Sequence, residues 1–118
     1  MTPASPEQFI ERTSEPAMIL DPATDRFVVV NDAACAMLGY SRAELLATPV
    51  SAIHRGELAQ LQAVVTEVIQ YGHALTDSLT CRVVSGECLP VEMSLSTLEL
   101  DGRVLIVGLV HDRSEHRG

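Results

Sequence analysis

The sequence predicts an α+β domain: a five-stranded antiparallel sheet with short helices and one long helix on one face. Three observations carry that prediction. Two short β-rich runs open the chain, three more close it, and the segment between them is cut by glycine and proline into helices. The longest helical segment carries a single apolar stripe. The last β run is apolar on both faces, which places it centrally in the sheet. With 118 residues, 47 % apolar and 20 % charged, the chain has room for one domain with a proper core.

Each element has its own signal. Ser5-Pro6-Glu7-Gln8 reads as an N-cap, a proline at the first helical position and a capping glutamine, opening a short helix with Phe9 and Ile10 that runs to about Ser14. Ala17 to Asp21 and Arg26 to Val30 form a hairpin around the turn Asp21-Pro22-Ala23-Thr24-Asp25. Asn31-Asp32 caps a helix over Ala33 to Leu38, which Gly39 ends in the left-handed region. Ser41-Arg42-Ala43-Glu44 is a capping box for a second short helix through Leu46, and Thr48-Pro49 breaks it. The long helix spans about Gly56 to Tyr71 and stops at Gly72, with Leu58, Leu61, Val65, Val68 and Ile69 toward the core.

The remainder is β. Ser78 to Val84 alternates Leu79, Cys81 and Val83 with polar residues, and Ser85-Gly86-Glu87 turns the chain. Val91, Met93 and Leu95 then alternate with Glu92, Ser94 and Ser96. The alternation slips at Thr97, which predicts a bulge there. Asp101-Gly102 marks a tight hairpin into Arg103 to His111, where Ile106 and Val110 face inward and Leu105, Val107 and Leu109 outward.

Composition narrows the function. Eight basic against sixteen acidic residues leave a net charge of −8, the wrong sign for a surface that neutralises phosphates. The apolar run Val104 to Val110 is too short to span a bilayer and the N-terminus lacks a signal-peptide pattern, so a cytosolic protein without a membrane segment is expected. Cys35, Cys81 and Cys88 are odd in number and lack metal-ligand spacing, so neither a metal site nor a disulfide is expected. No serine sits in a nucleophile elbow, and His111 and Asp112 are adjacent strand positions whose side chains diverge; no enzyme is indicated.

Four segments, in order, resemble the PAS sensor family over nearly the whole chain. Ile19 to Asn31 looks like its first hairpin with the helix-capping asparagine. Leu38-Gly39-Tyr40-Ser41-Arg42-Ala43-Glu44-Leu45-Leu46 resembles its "GYS-x-x-EL" signature. Ser85-Gly86-Glu87-Cys88-Leu89-Pro90-Val91-Glu92-Met93-Ser94 resembles its "DG-x-x-x-P-V-E-x-S" hairpin, and Val107 to Arg117 its closing strand and exit. Two departures stand out: Arg113 occupies a position usually apolar in the exit motif, and the start of the long helix reads His54-Arg55-Gly56-Glu57.

The resemblance implies a sensory input domain for signal transduction, with a cavity between the inner sheet face and the long helix. Gly108, interrupting an apolar strand, points to such a close approach independently. The candidate lining is Met37, Leu45 and Ile53 from the short helices, Leu61 and Val65 from the long helix, and Leu79, Cys81, Met93, Leu95, Ile106 and Gly108 from the sheet. The same side chains would equally fill an ordinary packed core, which periodicity does not distinguish. Haem is disfavoured because the long helix holds no histidine and His54 and His73 read as solvated loop residues; flavin is disfavoured because the family's photoreactive cysteine motif is missing before that helix and aromatics are few. A small apolar organic ligand suits the expected walls.

Residues 1–15 are expected to form a flanking helix, 16–113 the sensor domain and 114–118 the start of a linker, with Asp112 and Ser114 at the signal exit. The resemblance further implies a homodimer through the N-terminal helix and outer sheet face. It also implies an attached output domain: a histidine kinase of a two-component system, a transcription factor or a cyclic-dinucleotide enzyme. A ligand-free dimerisation module is the alternative.

Overall fold

Asn31 accepts hydrogen bonds through Oδ1 from the Ala17 and Ala34 amides and donates through Nδ2 to the Ile10, Thr13 and Glu15 carbonyls. One buried amide thus ties the first helix, the first strand and the second helix together. In a computed structural model, which describes residues 6–113, these elements are α1 (Pro6–Arg12), β1 (Ala17–Asp21) and α2 (Asp32–Leu38). They are joined by β2 (Arg26–Val30), α3 (Arg42–Leu46), α4 (Val50–Ile53), α5 (Leu58–Tyr71), β3 (His73–Thr76), β4 (Thr80–Arg82), β5 (Cys88–Leu100) and β6 (Arg103–Asp112). Ser5, expected as the first N-cap, lies outside the described residues, and α1 ends at Arg12, short of Ser14.

The local signals act as read. Asn31 caps α2, Gly39 ends it at φ 83°, and Ser41 and Glu44 form the reciprocal capping box of α3. Asp101 and Gly102 take positive φ in the β5–β6 turn, as the tight hairpin requires.

The sheet is antiparallel throughout, in the order β2–β1–β6–β5–β3, so β6 is central. The fifth strand is β3, a segment expected to be loop; its His73 is exposed but paired with Ser96. The expected strand at Ser78 to Val84 shortens to β4, which pairs only with Cys88 to Pro90 at the start of β5. No bulge occurs at Thr97, because the β5–β6 register runs unbroken from Val91↔Asp112 to Leu100↔Arg103. The apparent slip is a change of buried face, with Leu98 packing on the outer side. The irregularity lies instead between β1 and β2, where Val28 has no partner opposite Ile19 and Leu20.

Two cores flank the sheet. The inner one gathers Met18, Phe27, Met93, Leu95, Ile106 and Val110 with the helices; the outer one holds Ile10, Ala17, Ile19, Val29 and Leu105. On α5 the buried stripe is Val64 and Val68, flanked by half-buried Leu61 and Val65. Leu58 and Ile69, expected to face the core, are about half exposed because they lie roughly a quarter turn round the helix from that stripe. Among the described residues no helix is long and apolar enough to cross a membrane.

Candidate ligand cavity

Gly108 sits at the middle of the central strand, opposite Met18 on one side and Leu95 on the other. A Cβ there would lie 3.2 Å from Leu95 Cδ2 and 3.7 Å from Met18 Cγ. The missing side chain leaves the inner sheet face notched, and α5 lies across the notch. Between them is a cavity of about 510 Å³, within the range of ligand sites at roughly 300–1,000 Å³. Met18, Leu20, Phe27, Met93, Leu95, Ile106, Gly108 and Val110 form its sheet wall; Leu61, Val64 and Val65 form its helix wall. Gln62 and Thr66, exposed and one helical turn apart, mark where it meets solvent.

Of the expected lining residues, Leu61, Val65, Leu79, Met93, Leu95, Ile106 and Gly108 surround the cavity. Met37, Leu45, Ile53 and Cys81 do not: Leu45, Ile53 and Cys81 are buried in the surrounding core, and Met37 lines a shallow cleft with Ser14, Glu15 and His111. The sequence reading missed Met18, Leu20 and Phe27, because nothing local says that the first hairpin lies beside β6. It also missed Val50, Ser51 and His54 around α4.

His54, expected in a solvated loop, is buried and lines the cavity. Its Nδ1 lies 2.7 Å from the Thr80 carbonyl, which can only accept, so Nδ1 carries the proton. Burial pushes the imidazole below its ordinary pKa, against the Thr80 hydrogen bond and the charges of Glu57 and Asp25. The lowering favours the neutral ring, in which Nε2 is an acceptor. Thr80 is held in turn by Glu57 Oε1, which accepts from its amide at 2.9 Å and its hydroxyl at 3.1 Å. Nearby, Asp25 accepts from the Ser51 amide at 3.0 Å and hydroxyl at 2.5 Å, fixing the first β-turn to α4.

Burial pushes the Cys81 thiol up to about 12 and raises that of Cys35 as well. Among the described residues no cluster of His, Cys, Asp and Glu could hold a metal ion. His111 pairs with Glu15 at 2.9 Å, away from Asp112. At the exit of β6, Asp112 stands opposite Val91, and Arg113 donates its amide to the Pro90 carbonyl at 2.8 Å and pairs with Asp77 at 3.3 Å. The other expected exit residue, Ser114, lies outside the described residues.

Comparison with known proteins agrees with this geometry. A PAS domain from a two-component sensor histidine kinase is 30 % identical, covers 88 % of this chain and 89 % of its own, and superposes with a TM-score of 0.76. A domain of a sensory box sensor histidine kinase/response regulator from Geobacter sulfurreducens is also 30 % identical, with 88 % of each chain covered and a TM-score of 0.69. The Rhodobacter sphaeroides LOV protein shares the fold at 16 % identity, with 93 % of this chain and 65 % of that one covered and a TM-score of 0.77. No curated protein sequence matches. The PAS domain family model matches residues 15–115, the span that holds the notched central strand, the helix across it and the first hairpin, and the chain belongs to the PAS sensory domain family.

Proposed function

We propose that residues 16–113 form a cytoplasmic sensory input domain that binds a small, largely apolar ligand between β6 and α5 and thereby regulates an attached output domain. The observation that carries this reading is the cavity itself, mainly apolar along both walls with a few polar residues among its lining. The role in this reading is regulatory and not catalytic: both Asp25 oxygens are engaged by Ser51, and Nδ1 of His54 by the Thr80 carbonyl. The likeness to PAS domains of sensor histidine kinases favours a kinase as the output, ahead of a transcription factor or a cyclic-dinucleotide enzyme.

The ligand is not haem or flavin in this reading. His54 does reach the cavity, so the sequence argument against an axial histidine no longer applies to it. The charge argument stands in its place: among the described residues no arginine lines the hollow to pair with propionates or a phosphate. Signalling follows if the ligand prefers one packing of β6, whose end leads through Asp112 and Arg113 toward the output. A preference of ~100-fold corresponds to about 2.7 kcal/mol, enough to switch a poised equilibrium.

Native mass spectrometry and an absorption spectrum of freshly purified protein test the reading. A retained small mass without a visible band supports it; a Soret or flavin band overturns it.

The dimer module is the second reading, favoured by α1. Ile10 is fully buried against the outer sheet face while adjacent Phe9 is 55 % exposed, and Val107 and Leu109 are only half covered. A second copy would complete that surface. Val107→Glu with mass measured by light scattering is expected to give a monomer; an unchanged mass refutes dimerisation through this face.

A further inference from the structure

His54 is the buried titratable group with no evident structural need for both ring nitrogens. Nδ1 is spent on the Thr80 carbonyl, whose own residue is clamped from the other side by Glu57. The imidazole is thus fixed in tautomer and in place. Nε2 makes no hydrogen bond to another described residue, yet no buried side-chain nitrogen or oxygen among them is fully enclosed without a partner. Nε2 therefore keeps accessible surface, and His54 is one of the residues that line the hollow. An acceptor facing apolar walls is satisfied by an occupant that brings a donor, and is left wanting by one that does not.

The charges around it narrow the occupant further. The chain has no lysine, and among the described residues no arginine lines the cavity. Asp25 does line it, with both carboxylate oxygens engaged by Ser51. An anion entering here would meet a negative charge and no counter-ion.

We propose that the hollow selects a neutral molecule with an apolar body and one hydrogen-bond donor, and that Nε2 of His54 is the acceptor that reads the donor. This rests on the ligand-binding reading above. His54 is then the specificity-determining residue of the site, and the apolar walls supply affinity without discrimination.

Two isomeric probes of equal size separate these roles: 3-methylindole keeps its N–H, and 1-methylindole has lost it. Indole-3-carboxylate adds the negative charge. Binding is followed by methyl NMR at Val65, Leu95, Ile106 and Val110. A single neutral hydrogen bond predicts a preference of roughly 3- to 10-fold for 3-methylindole over 1-methylindole, with the carboxylate weaker than both. His54→Phe keeps an aromatic ring and removes the acceptor, and is expected to bring the ratio of the two isomers to about one. In wild-type protein, the ¹⁵N resonance of His54 Nε2 should shift with 3-methylindole and stay put with 1-methylindole, a readout that needs no variant to fold. Equal affinity for the isomers, or an unmoved Nε2 resonance, overturns the assignment while leaving the cavity reading intact. If no probe shifts the cavity methyls, both fall.

Discussion

Leu95 and Gly108 stand directly opposite each other on β5 and β6, and Leu95 leans to within 3.2 Å of the place where a side chain on Gly108 would begin. The central strand is thus thinned at a point where it lines the cavity. Gly108 has ordinary extended backbone, so substitution there is a question of space alone. Gly108→Ala should change stability by less than about 1 kcal/mol, since Leu95 need yield only a few tenths of an ångström. Gly108→Ile should cost about 1–3 kcal/mol through overpacking and abolish probe binding. Urea denaturation measures the first quantity and the methyl titration the second.

Removing the Asn31 side chain strips partners from two amides and three carbonyls at once. Asn31→Ala is expected to cost about 3 kcal/mol, in the upper part of the range for single substitutions. Asn31→Asp keeps the acceptor but faces three carbonyls with a negative charge, and should not rescue it. Urea midpoints check both, with an unchanged slope showing that native compactness is retained.

The orientation of α5 is tested by neighbouring positions. Val68 is fully buried and Ile69 is 49 % exposed. Val68→Ala should cost about 2 kcal/mol, from two lost methyl groups' burial and the void they leave. Ile69→Ala should stay within about 0.5 kcal/mol. The opposite ranking in thermal or urea melts would mean that Ile69 and not Val68 faces the sheet.

How legible the molecule was in its sequence depends on the range of the interaction. The caps at Asn31, Ser41 and Gly39 and the Asp101-Gly102 turn are set by residues within a few positions of each other, and all stand where read. β3 was missed because His73-Ala74-Leu75-Thr76 carries no strand signal of its own and is made a strand by pairing with Met93 to Ser96. His54 read as a loop residue because its burial depends on Thr80, twenty-six positions away. Likewise Met18 and Phe27 enter the cavity through the placement of the first hairpin beside the last strand, while Leu45, Ile53 and Cys81 were apolar enough to pack anywhere in the core.

Burial holds the folded-state pKa of His54 below its ordinary 6.5, so the unfolded chain binds the proton more readily than the native one. Native stability contributed by this site is complete above pH 6.5 and declines as pH falls through it. Unfolding free energy measured between pH 7.5 and 5 should fall more for wild type than for His54→Phe, provided that variant folds. Equal pH slopes would mean that the imidazole titrates in the native state as it does in the unfolded chain.

A crystal structure under xenon pressure asks most directly whether β6 and α5 enclose an apolar space that accepts a guest, since xenon enters hollows of this kind and ignores packed cores. Xenon is predicted between Gly108 and Val65 in the wild-type protein and absent from Gly108→Ile. A wild-type crystal with no xenon there, the two walls having closed on each other, would contradict the ligand-binding function proposed for this domain.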